Sequence, residues 1–82
     1  MILVNVYCAE LRKDYDFKVD ENVPISKVIP EMAEMITRAE QMVIKGEYDE
    51  FVLCLKERGE ILDRERSLAE SKVGSGDQLM LV

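Results

Sequence analysis

Residues 59–82 decide how the remainder of the chain is interpreted, and they read GEILDRERSLAESKVGSGDQLMLV. The stretch predicts a brief strand, a charged turn, one helical turn that begins at Ser67, a glycine turn and a closing strand over residues 78–82. Alternation in the closing strand turns Leu79 and Leu81 into a core. A short strand that buries one face needs other elements to cover it, so the rest of the chain must supply a partner layer.

The first twenty residues predict an antiparallel pair of strands. Residues 2–8 are rich in β-branched side chains, and with Asn5 facing water the alternation turns Ile2, Val4, Val6 and Cys8 inward. Residues 15–20 alternate apolar and charged side chains, and the polar stretch 9–14 is short enough for a hairpin.

A helix is predicted next. Pro24 has a backbone angle preset for a helix start, Ser26 is the expected N-cap, and Pro30 then falls about one turn in. Lys45 suits the last turn and Gly46 the stop, which makes a helix of about 20 residues. The apolar positions recur at helical spacing: Ile25, Val28, Ile29, Met32, Met35, Ile36, Ala39, Met42 and Val43.

After a polar loop over residues 46–50, a strong strand is expected over residues 51–56, with Leu53 and Leu55 inside. The order of elements predicts an α+β roll, a mixed sheet of four to five strands packed on one long helix, formed by residues 1–82 as a single domain. The expected core consists of Ile2, Val4, Val6, Phe17, Val28, Met32, Ile36, Leu55, Leu62, Leu68, Val73, Leu79 and Leu81.

Composition and charge limit the kinds of partner and the cellular location that we expect for this chain. The 82 residues are 48% hydrophobic and 34% charged, as in a soluble globular domain, and the 11 Lys/Arg against 17 Asp/Glu give a net charge of −6. That charge repels a phosphate backbone, so we expect no nucleic-acid partner. Residues 1–4 lack the basic flank of a signal peptide, and no apolar run reaches the roughly 20 residues that span a bilayer. We expect a cytoplasmic protein with no direct membrane insertion.

Residues that could carry chemistry are few. The chain has no histidine, and residues 74–76 lack the Lys-Ser/Thr that completes a phosphate loop. Cys8 and Cys54 match no metal motif, are expected to stay reduced, and have no histidine to activate a thiolate. The acidic groups at residues 14–20 and 47–50 lack the spacing of a calcium loop. We therefore expect no enzyme activity, no cofactor and no metal.

The apolar positions of the last third are spaced as in the second half of ubiquitin: Leu55, Leu62, Leu68, Val73, Leu79 and Leu81. The phrase Gly-Asp-Gln-Leu at residues 76–79 also resembles the small ubiquitin-like proteins of the YukD/EsaB family, which accompany bacterial type VII secretion. The resemblance implies a ubiquitin-like β-grasp roll with the first and last strands parallel at its centre. It requires an insertion between Ile36 and Phe51.

The resemblance also implies a function, namely a non-conjugating adaptor that is a component or regulator of a type VII secretion system. Ubiquitin and the related sulfur carriers act through a tail ending in two glycines, whereas this sequence ends at Val82, so conjugation and sulfur transfer are not expected. By the same spacing, Lys56 occupies the position of the central isoleucine of ubiquitin's recognition patch. The alternatives are a sulfur-carrier-like or other ubiquitin-fold subunit of an enzyme complex, and a free-standing stress or toxin–antitoxin accessory.

The candidate site is the outer face of the sheet, the side that alternation turns away from the helix. The apolar residues on this face are not part of the predicted core. Contiguous exposed apolar patches of this kind mark interaction sites. We expect it to bind a protein partner, such as a secretion-machine subunit, or a second copy of the chain, unless the loop or the helix insertion folds over it. Its residues are Leu3, Asn5, Tyr7, Val52, Cys54, Lys56, Met80 and Val82.

Overall fold

A computed structural model describes residues 1–41 and 50–82 of the chain. Its sheet has five strands in the order β2-β1-β5-β3-β4, so the predicted α+β roll with a mixed sheet is confirmed. The elements are β1 (Ile2–Cys8), β2 (Lys13–Val19), α1 (Ile25–Glu40), β3 (Leu53–Leu55), β4 (Glu60–Ile61) and β5 (Gln78–Leu81).

The two central strands, β1 and β5, are parallel, and every other pairing in the sheet is antiparallel. The β1–β2 hairpin closes tightly because the N–H of Arg12 donates to the carbonyl of Cys8 (2.8 Å), with Arg12 in the left-handed region at φ 56°. β5 lies between β1 and β3 and thereby joins the two halves of the chain. The arrangement that the resemblance implied is therefore the observed one.

The helix begins one residue before the expected cap. Ser26 does not cap α1, since the helix starts at Ile25 and no side chain caps it. The N–H groups of Ile25 and Ser26 donate instead to the carbonyls of Arg66 and Arg64, each at 2.9 Å. Backbone acceptors from a distant segment thus satisfy donors that a side chain would otherwise have to meet. The earlier start places Pro30 at the sixth helical position, inside α1 rather than in its first turn.

The helix also ends earlier than predicted. It has 16 residues and stops at Glu40, because Gln41 adopts the left-handed conformation (φ 54°) and donates its N–H to the carbonyl of Thr37. A helix interior does not accommodate that backbone angle, so Gln41 performs the role expected of a glycine. The predicted last-turn lysine and stop, Lys45 and Gly46, lie outside the described residues.

The core lies between the inner face of the sheet and α1. Every residue of the predicted core is buried except Ile2, which is half-buried and packs against the edge of the cluster. The predicted helical stripe is buried as far as Ile36, except for Met35, which is exposed, and Ala39 in the last turn is exposed as well. The buried set also includes Cys8, Val19, Ile25, Ile29, Ala33 and Leu53.

A reciprocal pair of hydrogen bonds fixes the turn that carries Leu68 into the core. The N–H of Ser67 donates to Glu70 Oε1 (3.0 Å), and the N–H of Glu70 donates to Ser67 Oγ (3.1 Å), which together form a capping box. The bond from the Ser67 N–H holds the pKa of Glu70 below its usual range. This turn closes one end of the core because the Ala69 N–H also donates to the carbonyl of Glu21 (2.9 Å).

Candidate functional site

One row of side chains crosses four strands on the outer face. The strand register pairs Tyr7 with Met80, Met80 with Cys54, and Cys54 with Ile61. Paired residues in adjacent strands project to the same side of a sheet. Because Val6, Leu79 and Leu55 are buried against α1 on the opposite side, this row faces away from the helix.

Several of the apolar side chains on this face are substantially exposed. Leu3 is 50% exposed, Val82 is 43% exposed and Ile61 is 66% exposed. Val52 and Val82 exchange both backbone hydrogen bonds, at 2.8 and 3.0 Å, so their side chains stand side by side at one end of the face. Ile61 ends the row on β4, and the Val52–Val82 pair adjoins Cys54 and Met80 along their strands, so the exposed apolar side chains on this part of the face are neighbours rather than isolated residues.

A polar row runs beside the apolar one. Asp16 pairs with Asn5, Asn5 pairs with Gln78, and the Lys56 N–H donates to the carbonyl of Gln78 (3.1 Å). The Asn5 Nδ2 also donates to Asp16 Oδ1 (3.1 Å), which orients the carboxylate at one end of the row. Within residues 1–41 and 50–82, no carboxylate lies within ion-pair distance of Lys56 at the other end.

Leu3 lies beyond the polar row and is held in place by its backbone. Its N–H donates to Ser75 Oγ (3.2 Å), and its carbonyl accepts the N–H of Gly76 (2.7 Å). Gly76 has a φ of 90°, and a Cβ placed on it would meet nothing within 4 Å. The backbone beside this exposed leucine therefore has open space around it at Gly76.

The structure brings together the eight residues that the sequence assigned to this face, and it adds Ile61. Sequence reasoning missed Ile61 because β4 has only two residues, too few to show an alternation. The signal that could have located it is its register with Cys54, which is a tertiary pairing. The alternative, in which the loop over residues 46–50 or the insertion between Ile36 and Phe51 covers this face, falls largely on residues 42–49, outside the described residues.

Another cluster of ionisable groups joins β2 to α1. The Tyr15 hydroxyl donates to Glu40 Oε1 (2.7 Å) and Lys13 Nζ donates to Oε2 (3.0 Å), which tethers β2 to the end of α1. Burial, and then the bond to Glu40, raises the pKa of Tyr15 to about 12. Hydrogen bonds from Tyr15 and Lys13 hold the pKa of Glu40 below its usual range. These contacts join two elements and leave no open acid–base pair.

The described part of the chain offers little to a small ligand. A depression of about 410 Å³ beside β4 is lined by charges of both signs, including Arg58, Asp63, Arg66 and Glu70. Within residues 1–41 and 50–82, no group of three or more cysteine, aspartate or glutamate residues is placed to hold a metal ion. Both cysteines are free thiols. The described helix is not long and apolar enough to cross a membrane.

Comparison with known proteins gives one family. The family model described as "WXG100 protein secretion system (Wss), protein YukD" matches residues 3–81. A search of curated proteins found no match.

Several solved structures share this fold. The EccD5 ubiquitin-like domain from Mycobacterium xenopi is 26% identical, with a TM-score of 0.71 over 99% of this chain and 91% of that one. A chain of the MycP5-free ESX-5 inner membrane complex is 23% identical, with a TM-score of 0.79. The match covers 99% of this chain but only 20% of that much longer one. Ubiquitin from Caldiarchaeum subterraneum is 17% identical, with a TM-score of 0.72 over 98% and 89% of the two chains.

Proposed function

The chain belongs to the YukD family of the WXG100 protein secretion system, and from that premise we propose that it is a cytosolic adaptor. It acts by non-covalent protein–protein binding through the outer face of its sheet. Its partners are subunits of the secretion machine, and its role is that of an accessory or regulatory component.

The observation that supports this function most strongly is the apolar row formed by Tyr7, Met80, Cys54 and Ile61. Packing accounts for the buried face of the same strands, but no described element covers this row. Aromatic, methionine and aliphatic side chains set among polar ones are the usual composition of an interface core and rim. The geometry therefore favours a binding face over a catalytic centre.

The comparison with the EccD5 domain supports the choice of partner class. That domain shares the fold over nearly the whole chain and has 26% identity. A like-folded segment also forms part of a much longer chain of an inner membrane complex. A unit of this fold can thus form part of an inner membrane complex, and a free-standing ubiquitin-like chain is suited to dock beside such a complex.

The test is capture of the secretion machine from cells by the tagged chain. The double variant Leu3→Asp with Met80→Asp places two charges on the outer face and should lose capture at least tenfold, since a desolvated charge opposes burial in an interface. The matched control, Met35→Asp with Ala69→Asp, adds the same charge at exposed positions away from that face. It should capture as the wild type does.

Thermal melts of both variants separate binding from folding. None of the four substituted residues belongs to the buried core. The melting temperatures of both variants should therefore lie close to that of the wild type. A folded outer-face variant that retains full capture would contradict the proposed function. Loss of capture in the control alone would place the interface on the helix side.

A further inference from the structure

We propose that the outer face binds a second copy of this chain, sheet to sheet, about a two-fold axis that runs parallel to the strands between β1 and β5. The inference rests on the proposed function in using the same face, and it names an occupant for that face. Subunits of the machine would then bind by displacing the second copy.

The sheet topology makes such a dimer geometrically simple. β1 and β5 are neighbours, are parallel and occupy the centre of the sheet. A rotation about an axis along them places β1 of each copy over β5 of the other and keeps the strand direction. Each row of side chains then meets the same row of the second copy in reversed order, as an isologous interface requires. The near alignment of the strands is that of stacked sheets in β-sandwiches.

Charge complementarity selects this axis. The polar row carries an acid at one end, Asp16, and a base at the other, Lys56, with two amides between them. Reversing the row brings Asp16 over Lys56 of the second copy, and Lys56 over Asp16. A two-fold axis across the strands would instead set Asp16 on Asp16 and Lys56 on Lys56, and like charges in contact disfavour that arrangement.

The side chains on either side of the polar row, at Leu3 and at Tyr7, also fit this axis. Leu3, which projects from the face, comes over Gly76 of the second copy, where there is open space. Tyr7 comes over Met80 of the second copy, an aromatic–sulfur contact that is favourable in protein interiors. Each copy thus presents both halves of every contact.

The available area is sufficient for a weak, specific dimer. The principal extents are 32 × 23 × 22 Å. One face of such a body offers on the order of 700 Å² per copy, close to the roughly 800 Å² per partner of a standard-size interface. We expect reversible association rather than an obligate dimer.

A disulfide trap tests the geometry. Asp14 on β2 pairs with Tyr7 and therefore lies beside the β1 end of the apolar row. In the proposed dimer, Asp14 lies over Cys54 of the second copy. Within one copy, the two residues are three strands apart, about 14 Å, which is beyond the roughly 7 Å that a disulfide allows. Mild oxidation of the purified Asp14→Cys chain should therefore give a covalent dimer, with a bond between the introduced cysteine and Cys54 in peptide mapping.

The trap has a control and contrary outcomes. Glu31→Cys, on the exposed side of α1, should give little covalent dimer under the same oxidation. A mapped bond between two copies of Cys54, or between two introduced cysteines, would overturn the proposed axis. A wild-type chain that stays monomeric in light scattering across a dilution series to high concentration would overturn the dimer.

A charge exchange tests the pairing without relying on one cysteine. Asp16→Lys and Lys56→Asp should each weaken dimerisation about tenfold or more, because each substitution acts twice in a symmetric interface. The double exchange should restore the wild-type dissociation constant to within about threefold. Lys27→Asp and Glu31→Lys match the two charge changes on the helix side and should leave it unchanged. Failure of the double exchange to restore association would contradict the pairing.

The two proposals fail independently. Dimerisation is measured on the purified chain alone, whereas capture of the secretion machine is measured in cells. A monomeric chain that still captures the machine would overturn the dimer only. A dimer that captures nothing would overturn the adaptor function only.

Discussion

The two faces of one sheet are built from the same strands but under different constraints. In β1, the inward residues Val4 and Val6 are at most 1% exposed, whereas Leu3, between Ile2 and Val4, is 50% exposed. The inner face is apolar because α1 covers it. The outer face is apolar in part although no described element covers it. Packing against α1 therefore accounts for the apolar side chains of the inner face, whereas those of the outer face indicate a binding partner.

The largest expected effect is on the inner face. Leu81→Ala removes a side chain that is 1% exposed at the centre of the core and should lower the free energy of unfolding by about 2–5 kcal/mol. Val4→Ala should also destabilise strongly. The matched outer-face change, Leu3→Ala, should cost less than about 0.5 kcal/mol, as is usual for surface substitutions. Urea denaturation measures all three. Equal losses from the two faces would erase the distinction between them.

An intermediate effect is expected at the turn that closes the core. Ser67→Ala removes the hydroxyl that accepts the Glu70 N–H and should cost about 1 kcal/mol, the usual value of a cap. Ser71→Ala is the control, because its described hydrogen bonds, to the Ser67 carbonyl and from Arg58, are made by the Ser71 backbone and are kept in the variant. If the two variants melt together, the capping box contributes nothing to holding Leu68 in the core.

The smallest expected effect concerns the hydrogen bond between Tyr15 and Glu40, and it depends on pH. The raised pKa of Tyr15 means that its contribution to stability is present below its unfolded value near 10 and is lost as the pH rises toward about 12. The lowered pKa of Glu40 means that its contribution is present above its ordinary value near 4.5 and is lost as the pH falls below it. Tyr15→Phe should therefore reduce the loss of stability at both extremes.

Unfolding curves at several pH values check this prediction, with Tyr7→Phe as the control for the loss of a phenol. The stability difference between wild type and Tyr15→Phe should be greatest near neutral pH and shrink toward both extremes. A difference that is constant with pH would mean that the Tyr15–Glu40 bond is not formed in solution.

Local pattern predicted the faces of the strands well. The alternation over residues 2–8 gave the bounds of β1. The alternation within β2, β3 and β5 identified the buried side of each of those strands. The core followed from this alternation in the strands and from helical spacing in α1. Ile2 is the exception, because a first strand residue at the sheet's end is covered on fewer sides. The strand order came from the resemblance, since pairing between distant strands leaves no periodic trace.

Features that depend on tertiary contact were not predictable from local pattern. The expected cap at Ser26 was wrong because carbonyls from residues 64–66 accept the first helical N–H groups. The expected end of α1 was wrong because a glutamine, Gln41, takes the left-handed position. The serine and glutamate three residues apart, Ser67 and Glu70, are a capping-box signature that sequence reasoning could have used.

Site-specific photocrosslinking in cells from Tyr7, in the apolar row, tests most directly whether the outer face binds a protein. Tyr7→p-benzoylphenylalanine keeps an aromatic ring on the outer face, and Met35→p-benzoylphenylalanine places the same probe on the exposed side of α1. We expect adducts from Tyr7 to a secretion-machine subunit or to a second copy of the chain, with few from Met35. Adducts from Met35 alone, or none from Tyr7 in cells that assemble the machine, would contradict it.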